Sequence, residues 1–107
     1  MIQIIFYENS DKQMIGFDVD GHAGYAKKGK DLVCAAVSTL VINTVNSLET
    51  ISDTDIKYEQ SPSGRIRLKL MSPADIKAET LLGALEIGIS TLQSEYGQYL
   101  RVHYKEV

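Results

Sequence analysis

Two long segments in which apolar residues recur every three or four positions dominate this 107-residue sequence. The first begins at Asp31 and ends at Ser52-Asp53-Thr54, and the second begins at Ser72-Pro73-Ala74-Asp75 and ends at Gly97. Such spacing places apolar side chains on one face of an α-helix, and Asp31 and Ser72 are the expected N-caps. The apolar positions are Val33, Val37, Leu40, Val41, Thr44, Val45 and Leu48 in the first segment and Ala78, Leu81, Leu82, Leu85, Ile89, Leu92 and Tyr96 in the second.

Short runs that alternate apolar and polar residues surround the two helical segments. Residues 2–7 and 15–19 predict one hairpin, residues 56–59 and 65–70 predict a second, and residues 100–104 predict a last strand. The order is therefore β-β-α-β-β-α-β. Because strands and helices are each apolar on one side, we predict a single α+β domain over residues 1–107. It is a two-layer sandwich with two helices on one face of a mainly antiparallel sheet.

Charge and cysteine content exclude several classes of protein. The net charge of −3 disfavours broad electrostatic capture of nucleic acid or anionic membranes. The single cysteine, Cys34, excludes an internal disulfide and a multi-cysteine zinc site, and we expect no metal or cofactor. The sequence lacks a run of apolar residues long enough to span a membrane and the features of a signal peptide. We therefore expect a cytoplasmic protein.

Residues 20–30 predict a glycine-rich loop that carries three lysines. The segment from Gly24 to Lys30 reads like the start of a phosphate-binding loop, G-x-x-x-x-G-K. Asp31, however, occupies the position where such a loop needs a serine or threonine hydroxyl for magnesium, and its carboxylate would face the phosphates. The sequence therefore disfavours nucleotide hydrolysis.

Cys34 and His22 form the more promising constellation. If Asp31 caps the helix, Cys34 is its third residue, where free amides and the helix dipole stabilise a thiolate. The glycine-rich loop is long enough to fold His22 over this helix end, where an imidazole would serve as a general base. Bare amides at the same helix end are candidates for an oxyanion hole.

Less specific explanations of the cysteine remain open. A free cysteine often only fills core volume. An exposed, activated thiol also permits redox chemistry, although the chain has no second cysteine to resolve a sulfenic acid. A peptide-binding module is a non-enzymatic alternative.

Several neighbouring residues have candidate roles of their own. Asp31 and Ser38 share the helix face of Cys34. Asp31 is either the helix cap or a residue that orients the imidazole of His22. The Ser38 hydroxyl is expected to bond the Cys34 carbonyl one turn back. Tyr25 is either a substrate-gripping aromatic or a packed loop residue. His103 is expected on the solvated surface, as is the row Arg65, Arg67 and Lys69.

The segment GHAGYAKKGKDLVCAAVS at residues 21–38 resembles the signature of the bacterial ribosomal-processing cysteine proteases called Prp. The G-H-A start, the glycine loop, the D-x-V-C-A-A-V-S block and the chain length all agree with that family. The resemblance implies His22 as the catalytic base and Cys34 as the nucleophile, with Asp31 and Ser38 as further signature positions. The candidate substrate loop comprises Gly21, Gly24, Tyr25 and Gly29.

The same resemblance implies the substrate and the assembly. Members of the family remove the N-terminal extension of a ribosomal large-subunit protein, and they are homodimers. The broad apolar stripe of the first helix is compatible with a partner subunit.

Because three glycines and three lysines make the loop costly to order, we expect residues 20–30 to bring His22 onto Cys34 only when substrate binds.

Overall fold

The computed structural model describes residues 1–22, 24, 26 and 31–107. Within these residues five strands and two helices follow the predicted order. The strands are β1 (Ile2–Glu8), β2 (Met14–Asp20), β3 (Ile56–Gln60), β4 (Ile66–Leu70) and β5 (Leu100–Glu106), and the helices are α1 (Leu32–Ile51) and α2 (Ile76–Tyr96). The predicted element order is confirmed.

The five strands form one sheet in the order β3-β4-β2-β1-β5. Three of the four strand pairs are antiparallel, and β1 and β5 are parallel. The chain leaves β2 through α1 to reach the edge strand β3, and it leaves β4 through α2 to reach the opposite edge, β5. The predicted α+β class with a mainly antiparallel sheet is therefore confirmed.

One face of the sheet shares a single core with both helices. Phe6, Phe17 and Leu68 lie directly opposite one another on β1, β2 and β4, and each is at most 1% exposed. Burying a side chain of this size contributes about 1.5–3 kcal/mol. The helices contribute Val33, Val37, Val41, Val45 and Leu48 from α1 and Ala78, Leu82, Leu85 and Ile89 from α2.

The first helix begins and ends as predicted. The carboxylate of Asp31 caps its start, and the Ser52 amide donates to the Leu48 carbonyl at its end. The helix α1 is long and apolar enough to cross a membrane, but core helices of soluble proteins are often equally long and apolar. Six of its 20 residues are buried in the core of this fold.

The N-cap of α2 differs from the prediction. Asp75, and not Ser72, caps the helix by accepting a hydrogen bond from the Ala78 amide at 2.7 Å. The carboxylate of Asp75 also accepts from the Ser52 hydroxyl and the Asp53 amide. The prediction was wrong because these partners lie more than 20 residues away in the sequence. Local spacing cannot show such contacts.

The solvent-facing side of the sheet contains an ion cluster around Asp18. The Asp18 side chain is 4% exposed and binds Arg65 through two hydrogen bonds of 2.9 and 2.6 Å. Arg67 donates to the same carboxylate. The Arg65 hydrogen bond outweighs burial and lowers the pKa of Asp18. Arg65 and Arg67 are thus half-exposed partners of a buried carboxylate, where the sequence predicted a simple solvated row.

Candidate active site

A glycine with an unusual backbone conformation precedes His22. Gly21 follows the last residue of β2 and has φ of +90°, a conformation that side chains other than hydrogen rarely adopt. A Cβ atom at Gly21 would lie 2.4 Å from the Met1 carbonyl oxygen, a separation that real Cβ atoms do not show. Close packing of Met1 against this turn therefore requires glycine, and the exposed His22 follows it directly in the chain.

Cys34 is the third residue of α1, as predicted, and it is half-buried against the core. The amides of Val33 and Cys34 both donate to Asp31 Oδ1, each at 3.0 Å. The prediction that Asp31 is the N-cap is confirmed. The expectation of bare amides at this helix end was wrong for these two groups, because the capping carboxylate already binds them.

A cavity of about 500 Å³ opens at the start of α1. His22, Cys34, Asp31 and Ser38 all contribute to its lining, so the fold brings the four predicted residues to one place. Their common location follows from the position of the chain just after β2, where Gly21 and His22 lie beside Cys34, Val37 and Ser38 of α1. We call this space the main cavity, and its other described lining residues are Gly24, Ala26 and Ala35.

A smaller groove of about 260 Å³ shares His22, Cys34 and Ser38 with the main cavity. We call it the side groove. It extends between α1 and the turn that joins β3 to β4, where Gln60, Ser63 and Gly64 form its lining. The sequence analysis missed these residues. The turn itself was predicted, but only the strand order places it near the thiol.

The remaining candidate residues lie elsewhere or outside the described part of the chain. Tyr25 and Gly29 are outside it, as are Lys27, Lys28 and Lys30, so the predicted ordering of the loop and the phosphate-loop alternative stay untested. His103 is exposed on β5, as expected. Among residues 1–22, 24, 26 and 31–107, no group of three or more histidine, cysteine or carboxylate side chains is arranged to hold a metal ion.

Known protein sequences match this chain over nearly its whole length. The profile of the cysteine protease Prp family matches residues 1–101. The ribosomal processing cysteine protease Prp of Staphylococcus aureus is 25% identical over 107 residues, covering 98% of this chain and 100% of the relative. The Bacillus subtilis protein of the same name is 29% identical over 107 residues, covering 95% and 96%. The Mycoplasma pneumoniae protein is 36% identical over 80 residues, covering 75% and 77%.

Solved structures share the fold. The Staphylococcus aureus Prp protease with a covalently linked product peptide superposes with a TM-score of 0.93 at 23% identity, covering 98% of this chain and 100% of that chain. A Streptococcus mutans crystal structure superposes with a TM-score of 0.85 at 29% identity, covering 100% and 96%.

These findings define a small α+β cysteine protease, because fold and sequence match such enzymes along the whole domain. The chain belongs to the cysteine protease Prp family, whose profile covers 101 of its 107 residues.

Proposed function

We propose that this chain is a cysteine endopeptidase that removes the N-terminal extension of a bacterial ribosomal large-subunit protein. The observation that carries the proposal is the main cavity, which His22 and Cys34 line together. Relatives matched over nearly their full length are named ribosomal processing cysteine proteases, which supports the substrate class.

The first half of the reaction needs a thiolate and a proton carrier. His22 takes the proton of Cys34, and the thiolate sulfur attacks the carbonyl carbon of the scissile peptide bond. The resulting oxyanion collapses as the carbon–nitrogen bond breaks, and His22 gives its proton to the leaving amine. The mature ribosomal protein departs with a new amino terminus, while the extension remains bound to Cys34 as a thioester.

The second half of the reaction regenerates the enzyme. Water attacks the thioester carbon while His22 accepts one of the water protons. The extension leaves as a carboxylic acid, and the proton returns to the Cys34 sulfur. This cycle uses only protein side chains and water, so it requires neither a metal nor a cofactor.

Asp31 and Ser38 support this chemistry from the same helix. Asp31 holds the first turn of α1 through the Val33 and Cys34 amides and so fixes the position of the thiol. Ser38 lies one helical turn after Cys34 and lines both the main cavity and the side groove. In this proposal its hydroxyl binds the substrate backbone.

The proposal includes a cytoplasmic homodimer. Leu32, at the start of α1, is 65% exposed, and Ile87 on α2 is 70% exposed, so both helices retain apolar surface that a second copy would cover. Sedimentation equilibrium tests this part, and a monomer at micromolar concentration would contradict it.

Cleavage of an extended ribosomal protein tests the proposed function. Mass analysis should show two products whose combined mass equals the substrate plus one water. Cys34→Ser should lower kcat/KM at least about a thousandfold, and His22→Ala by about 10²–10⁴-fold. His103→Ala, which changes the second histidine of the chain on the exposed side of β5, should stay within about twofold.

The same variants discriminate the alternatives. If Cys34→Ser retains both peptide binding and biological activity, the protein is a binding module and not a protease. If His22→Ala leaves thiol-dependent turnover unchanged, the chemistry is redox and not peptide hydrolysis.

A further inference from the structure

The face of the sheet that points away from both helices carries most of the positive charge in the described residues. Alternation along each strand turns Phe6, Phe17 and Leu68 into the core and the residues next to them to the other side, which we call the open face. Its carboxylates are Asp18, Asp20 and Glu59, and its cations are Lys57, Arg65, Arg67, Lys69, Arg101 and Lys105. Six cations against three carboxylates give this face a net charge of +3, although the whole chain has a net charge of −3.

The charge of the chain is thus distributed unevenly. Apart from the lysines of residues 27–30, the chain has eight lysines and arginines, and six of them lie on the open face. Eleven of the fourteen aspartates and glutamates lie elsewhere. Among the described residues, Lys69, Arg101 and Lys105 form no ion pair. The open face therefore has positive charge that favours an anionic partner.

A hollow of about 310 Å³ lies in the open face between β1 and β4. Gly16 of β2 lies opposite Tyr7 on one side and Lys69 on the other, and its lack of a side chain leaves this space open. A Cβ atom at Gly16 would lie 2.5 Å from the Leu68 carbonyl oxygen, so close packing of β2 against β4 requires glycine here. The hollow is therefore a built feature of the sheet, with the half-buried Tyr7 on one border and the exposed Arg67 and Lys69 on the other.

This hollow is separate from the proposed active site. It shares no described lining residue with the main cavity or the side groove. Gly16 lies near the start of β2, whereas Asp20, at the end that leads to His22, lies about 13 Å further along the strand. A ligand in the hollow would therefore leave the thiol accessible to a peptide.

The layout of the open face fits a single strand of nucleic acid. Its middle contains the half-buried Ile5 and Tyr7 of β1, and cations lie on β4 at one side and on β5 at the other. Because β4 and β5 are three strand spacings apart, these two groups of cations are separated by about 14 Å. In single-stranded nucleic acids, bases stack on aromatic rings while the phosphates bind flanking lysines and arginines. An acidic peptide has no planar base to cover Tyr7, and a duplex keeps its bases stacked inside.

We infer that the open face binds single-stranded RNA. Tyr7 supplies the surface on which a base stacks, and Lys69 and Lys105 bind phosphates on its two sides. The choice of RNA rests on the proposed function, because ribosomal proteins lie on RNA, whereas the charge and the hollow are features of the open face itself. Binding is confined to this face because the net charge of −3 disfavours it over the rest of the surface.

Fluorescence anisotropy with a labelled single-stranded RNA of about 12 nucleotides tests this binding. Wild type should bind the RNA with a Kd of about 10⁻⁴–10⁻⁶ M at physiological salt. If Lys69, Arg101 and Lys105 contact phosphates, the logarithm of the binding constant should fall with the logarithm of the salt concentration with a slope of about −2. A duplex RNA of the same length and a polyglutamate peptide should bind at least about fivefold more weakly.

Lys69→Glu and Lys77→Glu make the same change of charge at two places. Lys69 borders the hollow, whereas Lys77 is exposed on α2. Lys69→Glu should weaken RNA binding at least about tenfold and reduce the steepness of the salt dependence by about 0.7, while Lys77→Glu should stay within about threefold of wild type. Lys105→Glu, on β5, is a second variant with the same expected loss as Lys69→Glu. Thermal unfolding shows that each variant is folded.

Tyr7→Leu and Tyr7→Phe test the stacking surface. Leucine is apolar but has no ring, so we expect Tyr7→Leu to bind the RNA at least about fivefold more weakly. Phenylalanine keeps the ring and loses only the hydroxyl, so Tyr7→Phe should stay within about twofold of wild type. Equal binding by wild type and Tyr7→Leu would refute stacking of a base on Tyr7.

The outcomes separate this inference from the proposed function. If wild type cleaves the extended ribosomal protein but does not bind the RNA, or if Lys69→Glu and Lys77→Glu weaken binding equally, the inference alone is refuted. If wild type binds the RNA as expected but cleaves no extended ribosomal protein, the proposed function alone is refuted. Tighter binding of the polyglutamate peptide, or of a single-stranded DNA of the same sequence, would refute RNA as the partner.

Discussion

Replacing Gly21 by alanine tests how closely Met1, the residue before β1, packs against the chain before His22. Gly21 has φ of +90°, which costs an alanine about 1–2 kcal/mol. The new Cβ would also lie 2.4 Å from the Met1 carbonyl oxygen, where at least 3.0 Å is needed, so the two segments must separate by about 0.6 Å or more. Overpacking of this kind costs about 1–3 kcal/mol. We therefore expect Gly21→Ala to lower the free energy of unfolding by about 2–5 kcal/mol.

Gly64→Ala is the matched control for this measurement. Gly64 has nearly the same φ, +91°, but an added Cβ would meet no atom within 4 Å. Both substitutions change the entropy of the unfolded chain alike, so the difference between them isolates the steric contact. Urea unfolding should show Gly21→Ala to be the less stable variant by about 1–3 kcal/mol. A difference below about 0.5 kcal/mol would refute the reasoning.

The Gly21 substitution also has an expected effect on activity. A shift of about 0.6 Å or more in the residue before His22 moves the proposed base relative to Cys34. We expect kcat/KM to fall about 10- to 100-fold, measured at a temperature where the variant remains folded. Full activity in a folded Gly21→Ala variant would show that the position of His22 does not depend on this turn.

Two further predictions concern stability. Leu48→Ala, at a fully buried site of α1, should lower the free energy of unfolding by about 2–5 kcal/mol, whereas Met71→Ala, at a site 57% exposed, should change it by less than about 0.5 kcal/mol in the same urea titration. Hydrogen bonds from the Ala78 amide and, to a smaller extent, the Asp53 amide lower the pKa of Asp75 to about 2. The ionised Asp75 carboxylate therefore adds to the free energy of unfolding above pH about 4, and this contribution is lost as the pH falls through 2. Asp75→Asn should therefore be less stable than wild type at neutral pH, and a gap that stays constant down to pH 2 would contradict this assignment.

The order of the elements and the start of α1 followed from the sequence alone. Periodicity depends only on neighbours within a few residues, so it predicted all seven elements and the N-cap at Asp31. It also placed Cys34 in the first helical turn, and the segment around it carried the resemblance to the Prp family. These features are local, and local spacing is sufficient for them.

Contacts between distant segments were beyond that reasoning. The alternation in β2 indicated which residues face the core, but it did not show that Asp18, on the other face, would be buried by arginines. In the same way, the spacing before α2 allowed Ser72 as the cap, whereas hydrogen bonds from Ser52 and Asp53 favour Asp75. A residue's face follows from its own strand or helix, but its partners depend on which strands become neighbours.

The strand order was decided by the tertiary structure alone. Pairing of β4 with β2 brings Arg65 to Asp18, 47 residues apart in the sequence, and places the turn at residues 61–64 beside α1. The side groove exists only because of that pairing. The sequence by itself determined which residues could carry the chemistry, while the burial of one common core determined the order of the strands and therefore which residues surround the thiol.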